Sequence, residues 1–260
     1  MDLYQHFRKE EQIFIDQVLD WVNQVDTQYT PYLTSFLNPR QIFIADSIIG
    51  QYEELRYKKY GGFDRAEQER ILVYPPYYEP DNEDFELTLF EINYPTKFAE
   101  LSHGQILGSI MGTGLSRSNL GDIFTDGYRW QFIIDEKMAP FIKLNFEKVG
   151  NISIQLEEKD LNERIEISNK WEKEELILAS LRLDTVLAKS LNISRNRAKQ
   201  LINEQKVKNN WVQVDRPDIE VEEYDILSVR GFGRIQMYKQ LRTTRKENLV
   251  VEVGIISRNN

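Results

Sequence analysis

Few folds accommodate the segment Leu181–Asn210, which reads LRLDTVLAKSLNISRNRAKQLINEQKVKNN. Leu183, Leu187 and Leu191 recur at helical spacing with Val186 beside them, so they set the apolar side of one short helix. Asn192–Ile193 turns the chain, and Ser194 stands where the N-cap of a second helix is expected. Ile193, just before the cap, can pack on Ala198 as a hydrophobic staple. Ala198, Leu201 and Ile202 continue the buried face, and a short alternating strand follows at once. The pattern is a tight helical pair laid against a strand.

Charge singles out the same region. Residues 181–246 carry fourteen Lys and Arg against eight Asp and Glu, a net of +6, whereas residues 1–180 stand at −14 in a chain of net charge −9. An acidic protein that gathers its cations in one small module is built to hold a polyanion there. Within the module, Arg195 and Arg197 occupy the first turn of the second helix, where the macrodipole is already positive and acids are preferred. Two cations there are unfavourable unless an anion compensates them. Free backbone N–H groups at a helix start suit a phosphate, and flanking arginines reinforce the site. Lys199 lies one turn beyond Arg195, and Lys206 and Lys208 share a face of the following strand. Helical pair and strand together present cations in the pattern expected for gripping folded RNA by its backbone.

The remainder is expected as α+β. In the first segment, residues 1–76, apolar residues Ile13, Phe14, Val18, Trp21, Val22 and Val25 predict a helix over 8–25. Pro31 is read as opening a short helix with Leu33, Phe36 and Leu37, and Asn38 as capping another that starts at Pro39. A strand around Glu54–Tyr60, a Gly61–Gly62 turn, a short helix at Arg65–Arg70 and the strand ILVY complete it. The second segment, 77–157, has a strand in FELTLFEINY, a helix at His103–Gly112, a short strand at Ile123–Phe124 and an Asp126–Gly127 hairpin turn. The strand YRWQFII, a helix over Glu136–Val149 and the strand NISIQLE follow. That order is β-α-β-β-α-β, a ferredoxin-like plait shared with RNA-recognition motifs and with many unrelated domains. Residues 158–180 are charge-rich and read as a linker, and 181–260 as the cationic module with a terminal β-hairpin.

The residues of that module carry a resemblance. RLDxxL, SRxxAxxxI, the strand after it and a late Asp-x-x-x-Val-Arg-Gly are similar to the S4 RNA-binding fold. A typical S4 module has Gly-x-Val-x-Val-Asn-Gly where this chain has Gln205 to Trp211, and Gly before Asp where it has Tyr224. Three turn glycines are replaced, so the two turns are expected to be reshaped. The resemblance implies RNA contact at Arg182, Ser194, Arg195, Arg197, Lys199, Lys206, Lys208 and Asn210, with Asp184 as a structural partner, and at Arg230 and Arg234 of VRGFGR. Further contact is considered at Arg117, where a turn-holding role for the Gly-Asp pair is the competing reading, and at Arg242, Arg245 and Lys246 in the hairpin turn.

Across the whole chain, GGFDRAEQERILVYPP at 61–76, LGSIMGTGLSRSNLGDI at 107–123 and VRGFGR at 229–234 resemble the YlmH family of bacterial S4 proteins. That resemblance implies a factor of ribosome-associated quality control, binding rRNA of the 50S subunit and peptidyl-tRNA while a stalled chain gains a C-terminal tail; a monomer is expected, and the absence of cysteine fits a reducing cytoplasm. Ribosomal or quality-control proteins are a further class of partner, for the acidic first two segments, and the family has an association with cell division.

Other chemistries find little support. There is no cysteine and only two histidines, so neither thiolate metal sites nor a zinc cluster is suggested. No apolar run suggests a membrane span, MDLYQHFRKEEQ has no apolar core of a secretory signal, and no cofactor motif is found. Gly108-Ser-Ile-Met-Gly112-Thr-Gly114 lacks the Lys-Ser/Thr of a P-loop, and Gly114 reads better as a helix C-cap. Tyr128, Trp130 and Phe132 alternate as base-stacking aromatics do, but the Lys-Gly-Phe-Gly-Phe string is absent and a buried sheet face is the preferred reading. Asp184 sits in Arg-Leu-Asp, as does the catalytic Asp of pseudouridine synthases, yet the preceding glycine and the nearby Thr-x-Gly are missing. A non-catalytic RNA-binding factor is therefore expected, ahead of an RNA-modifying enzyme or an interaction scaffold.

Overall fold

Asn38 and Pro39 show how locally the first boundaries are set. The Asn38 side chain accepts the backbone N–H of Gln41 while the Gln41 side chain accepts that of Asn38, and Pro39 follows as the first helical residue. The computed structural model describes residues 7–64, 66–166 and 171–257 and divides the chain into two units, 1–168 and 169–260.

The first unit opens with helix α1 (Gln12–Gln28), strand β1 (Tyr32–Leu33), helix α2 (Pro39–Ile49), and strands β2 (Arg56–Tyr60) and β3 (Arg70–Tyr74). The three strands form a sheet in the order β1-β3-β2, and the helices bury Ile15, Val18, Val22, Ile44 and Ile48 against Ile71 and Val73. The helix expected after Pro31 is replaced by β1. Tyr32 and Leu33 pair with Val73 and Leu72, and Thr34 exchanges hydrogen bonds with Ile71, so long-range pairing overrides local preference. The helix expected at Arg65–Arg70 is also corrected. Arg65 lies outside the described residues, but the Asp122 carboxylate takes the N–H groups of Glu67 and Gln68, Glu69 bridges to Leu37, and Arg70 already belongs to β3.

The plait follows: β4 (Leu87–Asn93), α3 (His103–Gly112), β5 (Leu120–Thr125), β6 (Trp130–Asp135), α4 (Ala139–Asn145), the small hairpin β7 (Lys148–Val149) and β8 (Ile152–Ser153), and β9 (Gln155–Lys159). Its sheet runs β5-β6-β4-β9, every neighbour antiparallel, which is the ferredoxin-like order. α3 ends as expected, with Gly114 left-handed at φ 93° and donating to the Met111 carbonyl. The loop joining β5 to β6 is four residues, not two, because Thr125 pairs with Trp130. The helix expected through Val149 stops at Asn145: Phe146 turns into the core and Gly150, at φ 59°, makes the hairpin that splits the last strand in two.

Both faces of this sheet are covered. Phe90, Ile92, Phe132 and Ile134 pack with Ile106, Ile110 and Ile142 of the helices. On the opposite face, Leu89, Phe124 and Ile133 pack with Phe36, Phe63 and Ile165. Gly62, at φ 95°, lies so close to Ile133 that a Cβ there would meet its Cδ1 at 2.4 Å. Arg70 ties the two layers together, donating to the carbonyls of Thr34 (2.7 Å), Phe85 (3.0 Å) and Glu86 (3.2 Å) beside Asp135 at 3.5 Å.

The second unit comprises β10 (Glu172–Leu178), α5 (Leu183–Ser190), α6 (Arg195–Asn203), β11 (Val207–Asn209), β12 (Val212–Gln213), β13 (Ile226–Val229), β14 (Gly233–Thr243) and β15 (Leu249–Ser257). Its sheet runs β10-β15-β14-β13-β11-β12. α5 and α6 bury Leu183, Val186, Leu187, Ala198, Leu201 and Ile202 against one face. Much of the stretch read as a linker is ordered structure. Residues 158–159 finish β9, and Glu172–Leu178 pair along their whole length with β15. Charge concealed that strand: Glu172, Lys173, Glu174 and Glu175 are exposed, leaving Leu176 and Leu178 as its buried positions. Residues 167–170 lie outside the described residues. Among the described residues no helix is long and apolar enough to cross a membrane.

Candidate RNA-binding surface of the second unit

The turn between α5 and α6 is a Schellman motif. Asn192 takes the left-handed position at φ 51°, its N–H and that of Ile193 donating to the carbonyls of Lys189 and Ala188. Ser194 then caps α6, accepting the N–H of Arg197 at 3.2 Å, and Ile193 packs on the core that contains Ala198, as the staple requires.

This turn brings Arg182, Arg195 and Lys199 around one carboxylate. Asp184 Oδ1 and Oδ2 each accept from Arg195 Nη2 at 3.0 Å; Arg182 reaches Oδ1 at 3.2 Å and Oδ2 at 3.3 Å, and Lys199 Nζ lies 3.8 Å from Oδ2. The Asp184 side chain is inaccessible to solvent, while those of Arg182, Arg195 and Lys199 are 38%, 54% and 46% exposed. Burial opposes ionisation of Asp184, but the hydrogen bonds from Arg182 and Arg195 outweigh it and hold its carboxyl below the usual carboxylate range. The compensating anion that the first turn of α6 requires is thus, in part, internal. One negative charge serves three cations, leaving a net of +2 on the outward side.

Asp184 thus orients the two arginines that bond to it. Arg197, exposed, donates to Gln200 at 2.8 Å and makes no bond to the Asp184 cluster. Lys206 is paired with Glu204 at 2.7 Å, and its carbonyl accepts the N–H of Arg230. Lys208 is exposed on β11, opposite in parity to the buried Val207 and Asn209. It therefore projects from the sheet face away from α5 and α6, and the surface expected as one patch is divided between two sides.

Asn210 is spoken for. Its amide donates to Asp225 at 2.7 Å and its oxygen accepts from Ile226 at 3.0 Å, so it braces the turn after β11. Arg230 is exposed, whereas the Arg234 guanidinium stacks on Trp171 and Trp211, with its carbon 5.3 and 5.8 Å from the ring centroids. Neither tryptophan lies in a motif that marks function, although Trp211 stands where a turn glycine is expected. Arg242 lies 3.4 Å from Glu175 on β10, and Arg245 and Lys246 are exposed in the β14–β15 turn. In the first unit Arg117 donates to the carbonyls of Leu120 and Gly121.

The three positions where turn glycines are replaced share one backbone feature. Gln205, Trp211 and Tyr224 all take positive φ, at 56°, 68° and 68°, the conformation glycine adopts most easily. At Gln205 the geometry again makes a Schellman cap, with Gln205 and Lys206 donating to the carbonyls of Ile202 and Leu201. Of the three aromatics expected on one strand face, Trp130 and Phe132 do pack on the helix-side core, but Tyr128 is 83% exposed in the loop before the strand. Among the described residues no three metal-ligating side chains gather.

Comparison with known sequences adds three family matches: residues 10–78 to the model described as "YlmH, N-terminal", residues 80–163 to "Putative RNA-binding domain in YlmH", and residues 181–227 to "S4 domain". The chain is 38% identical over 246 residues to "Ribosome-associated protein quality control protein P2" of Bacillus subtilis (strain 168), covering 95% of each. Among solved structures it is similar to "Cell division protein ylmH from Streptococcus pneumoniae", at TM-score 0.55 and 36% identity over 63% of this chain and 99% of that one.

Proposed function

The chain belongs to the YlmH family, whose C-terminal element here is an S4 RNA-binding domain, and from that membership we infer that it is a non-catalytic factor acting on stalled ribosomes. In this reading the S4 domain grips RNA of the large subunit and peptidyl-tRNA, and holds the tRNA in place while the stalled chain is extended at its C-terminus. Support comes from a relative named for ribosome-associated quality control, aligned along nearly its full length.

The observation that carries the reading is the triad of cations on Asp184. A single inaccessible carboxylate fixes Arg182, Arg195 and Lys199 without neutralising them. Guanidinium groups so oriented lose little side-chain freedom on meeting phosphate, and each keeps N–H donors for a bidentate contact. Exposed Arg197 at the start of α6 adds a further cation. The acidic first unit, repelled by RNA, suits contact with basic proteins of the particle instead. The plait is not assigned RNA through its sheet, because the face an RNA-recognition motif uses is packed here on Phe36, Phe63 and Ile165.

Sedimentation of cell lysate through a sucrose gradient tests the proposal. The protein is expected to travel with 50S particles that retain peptidyl-tRNA, and to leave them when Arg195 and Lys199 are both replaced by Ala. Recovery solely in the free fractions, with stalled 50S particles present, would overturn it.

A further inference from the structure

The sheet of the second unit has two sides of different chemistry. Val207, Leu227, Val229, Ile235 and Met237 face the core under α5 and α6. The alternate positions form the opposite face, where Lys208, Ser228 and Arg234 stand in one register row across β11, β13 and β14. The Arg234 guanidinium carbon lies 5.3 and 5.8 Å from the ring centroids of Trp171 and Trp211, and Lys173 Nζ lies 4.7 Å from that of Tyr238.

The backbone under Trp211 is the second observation. Asn210 and Trp211 are consecutive left-handed residues, at φ 46° and 68°, making the turn between β11 and β12. Glycine fits such a position at least cost, and a large aromatic there is an outlier. Core packing does not require it: Trp211 belongs to none of the buried clusters and is half-buried beside exposed Val212. A strained turn that sets an indole on an arginine points to a task for that indole.

We propose that this face is a stacking site for unpaired nucleobases of single-stranded RNA. Trp211 and Trp171 supply the rings, Arg234 over both of them adds a cation, and Lys208 in the same row meets the backbone phosphate. Aromatic rings beside cations are the recurring means of holding single strands without reading sequence, because every base presents a π-face. The site rests on the reading that this unit binds RNA, but it lies on the other side of the sheet from the Asp184 cluster and takes a different ligand: exposed bases, not the phosphates of a folded helix.

The test uses the full-length protein and three fluorescently labelled probes in low salt: a ten-nucleotide oligoadenylate, an abasic ribose-phosphate strand of equal length, and a blunt RNA duplex. Oligoadenylate should bind more tightly than the abasic strand and quench tryptophan fluorescence. Trp211→Leu should weaken oligoadenylate roughly tenfold, leave the other two probes unchanged, and be rescued by Trp211→Phe. Arg197→Ala should weaken the duplex while the preference for bases persists. Equal binding of oligoadenylate and abasic strand, or wild-type affinity in Trp211→Leu, overturns the stacking site. Duplex binding without oligoadenylate binding removes this proposal alone, whereas failure to bind any probe removes the RNA-binding reading beneath it. Should Trp211→Leu unfold, Trp171→Leu is read against the same criteria.

Discussion

Arg195 Nη2 lies 3.0 Å from both carboxylate oxygens of Asp184, a residue eleven positions earlier whose side chain no solvent reaches. The contact ties the start of α6 to the start of α5 and turns a locally unfavourable arginine into a fixed part of the surface. Arg195 therefore has two duties, and Arg197, bonded to Gln200 and standing outside the Asp184 cluster, has one.

Replacing each in turn separates the two duties. Arg197→Ala should weaken RNA binding and leave the unfolding free energy within ~0.5 kcal/mol of wild type, as for other surface changes. Arg195→Ala should lose affinity and also stability, by ~1–3 kcal/mol, the range for stripping a buried group of its charge-assisted hydrogen bonds. Urea unfolding of both variants beside anisotropy titrations reads both quantities.

The same pair predicts a pH dependence. The Asp184 carboxyl is held below its ordinary range, so the folded state binds its proton less readily than the unfolded chain does. Its contribution is complete above the unfolded value of about 4 and declines as pH falls toward the lower folded value. Asp184→Asn should consequently be less stable than wild type at neutral pH, with the gap narrowing below about pH 4. A gap constant from pH 7 to pH 3 would show that the ionised carboxylate is not the source.

A left-handed residue without a glycine is a reserve of stability. Gln205, at φ 56° in the cap of α6, should tolerate glycine with a gain of about 0.5–1 kcal/mol, the left-handed strain of ~1–2 kcal/mol less the extra entropy of an unfolded glycine. Thermal denaturation of Gln205→Gly should show the midpoint rising; a fall would mean that the Gln205 side chain does more than cap.

In the first unit the strongest dependence falls on Arg70, buried and donating to carbonyls of Thr34, Phe85 and Glu86. Arg70→Met leaves those carbonyls and Asp135 without their cation and should destabilise by ~3–5 kcal/mol. Chemical denaturation followed by near-UV circular dichroism, which reports Trp21 and Trp130 in that unit, should reveal early melting.

How much of this was legible depended on the range of the interaction. The Asn38 cap, the Gly114 stop, the Ser194 cap with its staple and the antiparallel plait all follow from signals a few residues wide, and each is found. Tyr32–Leu33 reads locally as helix because its strand exists only through pairing with Leu72 and Val73, some forty residues away. Glu172–Leu178 was hidden by its own exposed charges. At the candidate site the cations were legible as residue types, but not that three of them share Asp184, that Asn210 is bound to Asp225, or that Lys208 points from the other face. Those are facts of side-chain direction across a sheet, and spacing alone cannot supply them.

The central claim, that cations on α5 and α6 grip RNA by its phosphates, is tested most directly by titrating a ribosomal RNA hairpin with the full-length protein at several salt concentrations. With ~4–6 phosphates neutralised, the log–log slope should be roughly −3 to −5, and it should shrink by about one for each of Arg197→Ala and Lys199→Ala. An affinity that ignores salt, or a slope unchanged when both are replaced, would contradict the account.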